Sequence, residues 1–147
     1  MTKTIWFDMD GTIADLYAVE NWLPMLRAYD PTPYAEAKPL VNMSTFARIT
    51  HKAQRNGYKV GILSWLSKES TADYDKAVTN AKLTWLRKHL PSVEFDEIKI
   101  VPYGYGKYQF NNGNDILFDD EARNRSDWTY IAYDVDNLLK DFAALTR

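Results

Sequence analysis

Cysteine is absent from the 147 residues of this chain. Disulfides and thiolate metal sites are therefore excluded, and cysteine usage gives no indication of the redox compartment. No apolar run approaches the ~20 residues that a membrane-spanning helix needs. No basic segment followed by an apolar stretch stands at the N-terminus, as a secretory signal would require. From these absences we expect a cytoplasmic protein with no membrane partner.

An excess of charge of either sign is also missing. The 18 basic and 20 acidic residues leave a formal net charge of −2, so we find no strong signal for nucleic-acid binding. Hydrophobic residues make up 46% of the chain and charged residues 26%, which is typical of a soluble globular protein. A chain of this length is expected to form one domain, residues 1–147, around a full core.

Two carboxylates at the end of an apolar run near the N-terminus are the most informative feature. The run is typical of a buried strand, which we expect over about Lys3–Met9, and it leads into Asp8 and Asp10. Side chains two positions apart on a strand point the same way. The strand therefore delivers both carboxylates to one place, where they repel each other unless a cation or a shared proton intervenes.

The residues that follow this acidic pair suit a strand end. Gly11 permits a sharp bend, and Thr12 adds a hydroxyl and a backbone N–H. The chemistry that suits the whole segment is magnesium-assisted attack by a carboxylate on phosphorus. An ordinary acidic turn is the alternative interpretation, because Asp and Gly are common turn formers.

The pattern Asp8-x-Asp10-Gly11-Thr12 resembles the first motif of the haloacid dehalogenase-like (HAD) phosphohydrolase superfamily. The resemblance implies that Asp8 is the nucleophile and forms an aspartyl-phosphate. It also implies that Asp10 is the general acid and base, which protonates the leaving oxygen and later activates water.

Strands and helices alternate along the rest of the chain. Further strands are predicted at Tyr58–Leu63, Glu97–Val101, Asp115–Phe118 and Trp128–Tyr133. Helices are predicted at Leu16–Tyr29, from Ser44 to Gly57, at Tyr74–Leu90 and at Val135–Leu145, with an irregular loop at Asp30–Pro39. This alternation predicts an α/β fold, a three-layer Rossmann-like parallel sheet with helices on both faces. Ligands bind such sheets at the carboxyl ends of the strands, where every candidate residue falls.

Single polar residues follow the two middle strands. Ser64 stands where the superfamily's second motif has a Ser or Thr, so the resemblance implies that it holds phosphoryl oxygens; it could also simply cap a loop. Lys107 stands where the superfamily has a lysine that neutralises the nucleophile and the phosphate, with Lys99 and Arg123 as competitors. Trp65 either belongs to the core or faces the substrate. The candidate phosphate-binding residues are Thr12, Ser64, Trp65 and Lys107.

The fourth strand ends in two adjacent carboxylates, Asp119 and Asp120. Adjacent side chains on a strand point to opposite sides, so we expect one of them to bind a metal directly. The resemblance implies Asp120 as the ligand and Asp119 as the supporting group. With Asp8 and the backbone carbonyl of Asp10 they would make an oxygen-rich Mg²⁺ site. Asn124 could support the loop or the waters of the metal.

The central and C-terminal parts of the chain look most like the 5′(3′)-deoxyribonucleotidase branch of that superfamily. The residues that carry this resemblance are Ser64-Trp65, Tyr74-Asp75-Lys76, Lys82-x-x-Trp85-Leu86, Lys107 and Leu117-Phe118-Asp119-Asp120. Family members carry a helical cap after the first motif, but the interval at about Asp15–Pro39 is too short for a full one. We expect a minimal cap, in which Tyr17, Trp22, Tyr29 and Tyr34 either form a small lid or pack on the sheet.

The leading functional hypothesis is a magnesium-dependent phosphomonoesterase that acts on a (deoxy)nucleoside monophosphate. Polynucleotide ends and small phosphate esters are alternative substrates. A receiver-like domain also combines acidic residues, Ser or Thr, Lys and magnesium, but it places its phosphorylated Asp on a middle strand, which here ends in Ser64. A non-catalytic phosphate-binding interaction module is the remaining alternative.

Overall fold

A parallel β-sheet forms the centre of the computed structural model, which describes residues 2–147. The strands are β1 (Thr4–Phe7), β2 (Ala14–Asp15), β3 (Lys38–Pro39), β4 (Lys59–Trp65), β5 (Glu97–Val101), β6 (Ile116–Phe118) and β7 (Ala132–Tyr133). Five of them form the sheet in the order β5-β4-β1-β6-β7, and every neighbouring pair is parallel. The other two, β2 and β3, pair antiparallel in a separate ladder.

The described residues form six α-helices, which connect and cover the strands. They are α1 (Trp22–Arg27), α2 (Thr32–Glu36), α3 (Met43–Arg55), α4 (Ala72–His89), α5 (Ala122–Asp127) and α6 (Leu138–Leu145). Short 3₁₀ turns lie at Leu16–Ala18 and Lys107–Phe110. No helix in residues 2–147 has both the length and the apolar character to cross a bilayer.

The alternating side chains of β1 define the two faces of the sheet. Phe7 belongs to the larger core, where its ring lies 4.9 Å from Phe46 of α3 and 4.8 Å from Phe142 of α6. Trp6 points the other way into a smaller core, against which Phe110 of the second 3₁₀ turn packs. The fold is therefore α/β with helical layers on both faces of a parallel sheet, as predicted, although the second layer is thin.

The order of the strands places a crevice beside β1. From β1 the chain moves outward through β4 to β5, and it then returns to the other side of β1 to form β6 and β7. Right-handed crossovers in opposite directions put their connections on opposite faces of the sheet. The loops that follow β1, β4 and β6 consequently diverge at the carboxyl edge, which is where parallel sheets bind ligands.

Residues 15–39 fold differently from the prediction. The single helix expected at Leu16–Tyr29 is wrong: a 3₁₀ turn is followed by Asn21 in the left-handed region, with a φ of 61°, and only then by α1. Pro24 lies in the first turn of α1, the position where proline is tolerated. The loop expected at Asp30–Pro39 contains α2, and the Asp30 carboxylate accepts a hydrogen bond from the backbone N–H of Thr32 (2.9 Å).

The C-terminal third also differs from the predicted elements. The strand expected at Trp128–Tyr133 is reduced to β7, because Trp128 instead buries its ring and donates from Nε1 to the carbonyl of Asp115 (2.9 Å). Helix α5, which was not predicted, fills the space before it. Helix α3 begins at Met43, one residue before the predicted Ser44, and the Asn42 side chain caps it by accepting from the Thr45 N–H.

Candidate active site

The first acidic segment forms a tight turn at the end of β1. The N–H of Asp8 donates to the carbonyl of Phe118, which ties β1 to β6 at this edge (3.0 Å). The Met9 carbonyl then accepts from the N–H groups of Thr12, Ile13 and Ala14, at 2.9–3.0 Å. Gly11 has a φ of 81°, and the Asp120 carboxylate occupies the space where a Cβ would stand. Glycine is required there for both reasons.

Lys107 binds the carboxylates of both acidic segments. Its ammonium donates to Asp8 Oδ1 (2.9 Å) and to Asp119 Oδ2 (2.7 Å), and all three side chains are at least nine-tenths buried. The two competing cations are elsewhere: Lys99 is exposed on β5, and the Arg123 side chain is 87% exposed. The structure therefore brings Lys107 to the candidate nucleophile and leaves the competitors at the surface.

Asp119 and Asp120 both reach the same cluster. Each contributes a carboxylate oxygen to a group with Asp8 in which the oxygens lie within 4.8 Å of one another. The expectation that adjacent carboxylates diverge is wrong, because β6 ends at Phe118 and the alternation of a strand ends with it. Asn124 lies beside the cluster and donates to Asp119 Oδ2 (3.2 Å), in the supporting position suggested by the sequence.

The two carboxylates differ in how many donors they already have. Besides Lys107 and Asn124, Asp119 accepts from the backbone N–H of Glu121 (2.9 Å). Apart from its contact with the Asp8 carboxyl, Asp120 has one side-chain donor within residues 2–147, the Thr12 hydroxyl at 3.4 Å. The oxygens of Asp120 are therefore the more available of the two for a metal ion.

Burial and mutual repulsion shift the pKa values of this cluster upward. Burial and the nearby charge of Asp8 raise the pKa of Asp119 to about 6, although Lys107 opposes the shift. Burial and the hydrogen bond and charge of Asp8, together with the charge of Asp119, raise the pKa of Asp120 to about 8. Without a further cation the cluster therefore retains a proton near neutral pH. Three carboxylates gathered in this way form an oxygen-only donor set, which hard cations such as Mg²⁺ prefer.

Asp10 is held apart from this cluster by a second buried lysine. Lys82 of α4, whose side chain is 1% exposed, donates to Asp10 Oδ2 (3.0 Å), Ser64 Oγ (2.6 Å) and the Trp65 carbonyl (2.6 Å). Burial raises the pKa of Asp10, Lys82 partly offsets that rise, and the charge of Asp8 adds to it. The carboxylate of Asp10 thus faces an ammonium group, whereas its backbone carbonyl remains a predicted metal ligand.

The sequence resemblance included Lys82 but assigned it no role. The sequence did contain a signal that pointed to a buried role for Lys82. This lysine lies on the stripe of α4 that also holds Val78, Trp85 and Leu86, all of which are buried. A lysine in such a stripe must find a buried acceptor. Ser64 is also fully buried and contacts Lys82. It does not line the cleft that opens above the carboxylates, so its role as a phosphate ligand stays a prediction.

A cleft of about 800 Å³ opens above the carboxylates. Its floor contains Asp8, Asp10, Lys107, Asp119 and Asp120. The cleft is lined by aromatic side chains of residues 15–39, namely Tyr17, Trp22, Tyr29 and Tyr34. Trp65 and Tyr103, whose ring centroids are 5.1 Å apart, also line it. The aromatic side chains of residues 15–39 therefore face the cleft.

The short cap segment is attached firmly to α4. The Tyr74 hydroxyl donates to the carbonyl of Asp30 (2.9 Å), and Trp85 Nε1 donates to the carbonyl of Ala37 (2.7 Å). The antiparallel pair of β2 and β3 closes the base of the segment. These contacts fix this part of the cleft relative to the sheet.

The fold and the site together define an α/β protein with a carboxylate-rich cleft at the carboxyl edge of its sheet. The sequence matches no protein-family model and no curated protein. What the cleft does is therefore argued from its residues.

Proposed function

We propose that this chain is a magnesium-dependent phosphomonoesterase of the HAD type, which works through an aspartyl-phosphate on Asp8. The convergence of Asp8, Asp119 and Asp120 in the cleft, with Lys107 bound to the first two, carries the proposal. With Asp10 included, four carboxylates face two ammonium groups, which leaves two formal negative charges. Such an excess in a largely buried site favours the binding of a divalent cation.

Asp8 is arranged as a nucleophile. Lys107 holds its Oδ1 and the Thr12 hydroxyl donates to its Oδ2 (3.1 Å), so the carboxylate is oriented. Burial lowers the pKa of Lys107, but the charges and hydrogen bonds of Asp8 and Asp119 outweigh this and leave its pKa raised. Lys107 is therefore a permanent cation beside the reacting oxygen. In the first step a bond forms between an Asp8 oxygen and phosphorus while the bond from phosphorus to the leaving oxygen breaks.

Asp10 is placed to move the protons of the reaction. Its pKa is raised above the ordinary value, which favours the protonated form, and in that form it gives its proton to the leaving oxygen. As a carboxylate it then takes a proton from the water that attacks the aspartyl-phosphate, which releases inorganic phosphate and regenerates Asp8. Lys82 stabilises the carboxylate form of Asp10 between these two steps.

The residues present fit a magnesium ion. Asp8, Asp119 and Asp120 would hold it, with Asp120 as a direct ligand because its oxygens have the fewest donors. When bound, the ion supplies positive charge against the phosphoryl oxygens. Asp119 is already engaged by Lys107 and Asn124, which orients it within the site.

The walls of the cleft favour a substrate with a flat, aromatic leaving group. Its volume lies within the 300–1,000 Å³ typical of small-molecule pockets. The aromatic side chains that line the cleft offer stacking surfaces for a nucleobase, so we infer a (deoxy)nucleoside monophosphate. The cleft is also lined by Arg27 and Lys68 and by Glu69 and Glu121. Because these charges are of both signs, they create no positive electrostatic field that would attract a polynucleotide end.

Phosphate release from nucleoside monophosphates and simple phosphate esters, measured with Mg²⁺ and with EDTA, tests the proposal. The variants are Asp8→Asn and, as a matched control at an exposed carboxylate, Asp136→Asn. We expect magnesium-dependent release that Asp8→Asn abolishes and Asp136→Asn leaves unchanged. Silence of the wild-type protein across both classes of substrate would instead favour a non-catalytic phosphate-binding module.

A further inference from the structure

One long edge of the sheet is open. Strand β5 pairs with β4 alone, so its outer side has no strand partner within residues 2–147. The N–H of Leu66, just after β4, donates to the Val101 carbonyl of β5 (2.8 Å). Because backbone directions alternate along a strand, Lys99 and Glu97 also direct their N–H and C=O groups to β4, and Ile98 and Ile100 direct theirs to the open side. An edge of this kind is a template for another strand.

An apolar groove lies beside this edge, on the face covered by α4. It has a volume of about 440 Å³ and is lined by Leu83, Leu86, Leu90, Val93, Phe95 and Ile98. Ile98 is 39% exposed, which is high for the middle residue of a strand. Strand edge and groove therefore meet at Ile98, and one partner could cover both.

The charges of β5 are arranged symmetrically about Ile98. Glu97 precedes it and Lys99 follows it, and both side chains project from the face opposite the groove. A lysine on an edge strand normally discourages pairing. A second β5 strand placed antiparallel, with Ile98 on the two-fold axis, instead sets Glu97 opposite the partner's Lys99 and Lys99 opposite the partner's Glu97.

We propose that two copies of this chain associate through their β5 edges, antiparallel about Ile98, to form one continuous ten-stranded sheet. The same two-fold operation brings Ile98 against the partner's Ile98 on the α4 face and places the two apolar grooves side by side. Arg87 and Glu94, which also line each groove, give its border both signs of charge, as a surface that meets its own copy requires. An unrelated strand would match this charge order only by coincidence.

The proposed dimer leaves both clefts accessible. The cleft opens at the carboxyl ends of the strands, whereas the contact runs along the side of β5. The opposite edge of the sheet is the two-residue strand β7, which is too short to compete as a template. The proposal is therefore independent of the proposed phosphatase activity, and the two can fail separately.

A charge-swap series measured by sedimentation velocity across the micromolar range tests the contact. The variants are Glu97→Lys, Lys99→Glu and the double swap, with Lys52→Glu on an exposed position of α3 as the control. Each single reversal puts like charges opposite each other twice in the dimer. We expect it to raise the dimer dissociation constant by at least about tenfold. We expect the double swap to restore dimerisation, and the control to leave it unchanged.

A wild-type protein that stays monomeric throughout this range would overturn the proposal. So would a dimer that both single reversals leave intact, because its interface would then lie elsewhere. Far-ultraviolet circular dichroism checks that each variant is folded. If a reversal impairs folding, Ile98→Asp gives a second test, since it sets two carboxylates opposite each other at the two-fold axis and should also yield monomers.

Discussion

Replacing Asp120 by Asn should stabilise the metal-free protein at alkaline pH. The pKa of Asp120 is about 8 in the fold, against an ordinary value of 3.8. Its folded pKa is raised by burial and by Asp8 and Asp119, so the ionised form is the one the fold disfavours. Ionisation of Asp120 therefore lowers the free energy of unfolding. This loss is absent below about pH 4, grows as the pH rises, and is complete above about pH 8. Asn removes this charge and can still accept from Thr12.

The size of the effect follows from the pKa shift. One pKa unit corresponds to about 1.4 kcal/mol. Counted from the ordinary pKa of Asp120 up to about pH 7.5, the shift therefore lowers the free energy of unfolding by at most about 5 kcal/mol. The Asp120 side chain is only partly buried, so solvent screening reduces this to about 1–2 kcal/mol. For a domain of this size that is a rise of several degrees in Tm.

Thermal denaturation in EDTA at pH 5 and pH 8 measures this effect. Asp120→Asn should melt several degrees above the wild type at pH 8 and differ much less at pH 5, with Asp136→Asn as the control. Added Mg²⁺ should raise the Tm of the wild type and not that of Asp120→Asn. A variant that is less stable than the wild type in EDTA at pH 8 would refute the reasoning, since the carboxylates would then not repel one another.

Three further substitutions test the remaining parts of the site. Lys107→Met leaves two carboxylates buried without their cation, so urea denaturation should show a loss of about 3–5 kcal/mol and phosphate release should vanish. Lys82→Met removes the cation beside Asp10, so the limb of the pH–rate profile set by Asp10 should move to higher pH. An unchanged profile would show that Lys82 does not influence the pKa of Asp10. Gly11→Ala strains a positive φ and crowds Asp120, so the dependence of Tm on Mg²⁺ should be lost.

The sequence was informative about the fold wherever a pattern is local. Alternation of strand and helix predicted a parallel sheet, and apolar runs located β1, β4, β5 and β6. The cap segment was not predictable in this way, because helices of five or six residues are unstable alone and depend on tertiary contacts. Here those contacts come from α4, through Tyr74 and Trp85.

Parts of the candidate site were likewise predictable from the sequence, and other parts were not. The acidic pair of Asp8 and Asp10 was recognisable as a motif, and the position of Lys107 followed from the resemblance. The shared direction expected for the two carboxylates was wrong, because β1 ends at Phe7 and a tight turn places Asp8 beside Lys107 and Asp10 beside Lys82. Lys82 was given no role because its acceptor Asp10 lies 72 residues away in the sequence. The joint orientation of Asp119 and Asp120 depends on where β6 stops, and a sequence pattern does not resolve a boundary of one residue.

Detection of a phosphoryl group on Asp8 tests the central proposal most directly. The protein is mixed with a deoxynucleoside monophosphate and Mg²⁺, quenched in acid, digested and analysed by mass spectrometry. We predict one phosphoryl group on the peptide that contains Asp8, more of it in Asp10→Asn, where breakdown should slow more than formation, and none in Asp8→Asn. Undiminished turnover in Asp8→Asn, with no phosphoryl group on that peptide in the wild type, would contradict the proposal.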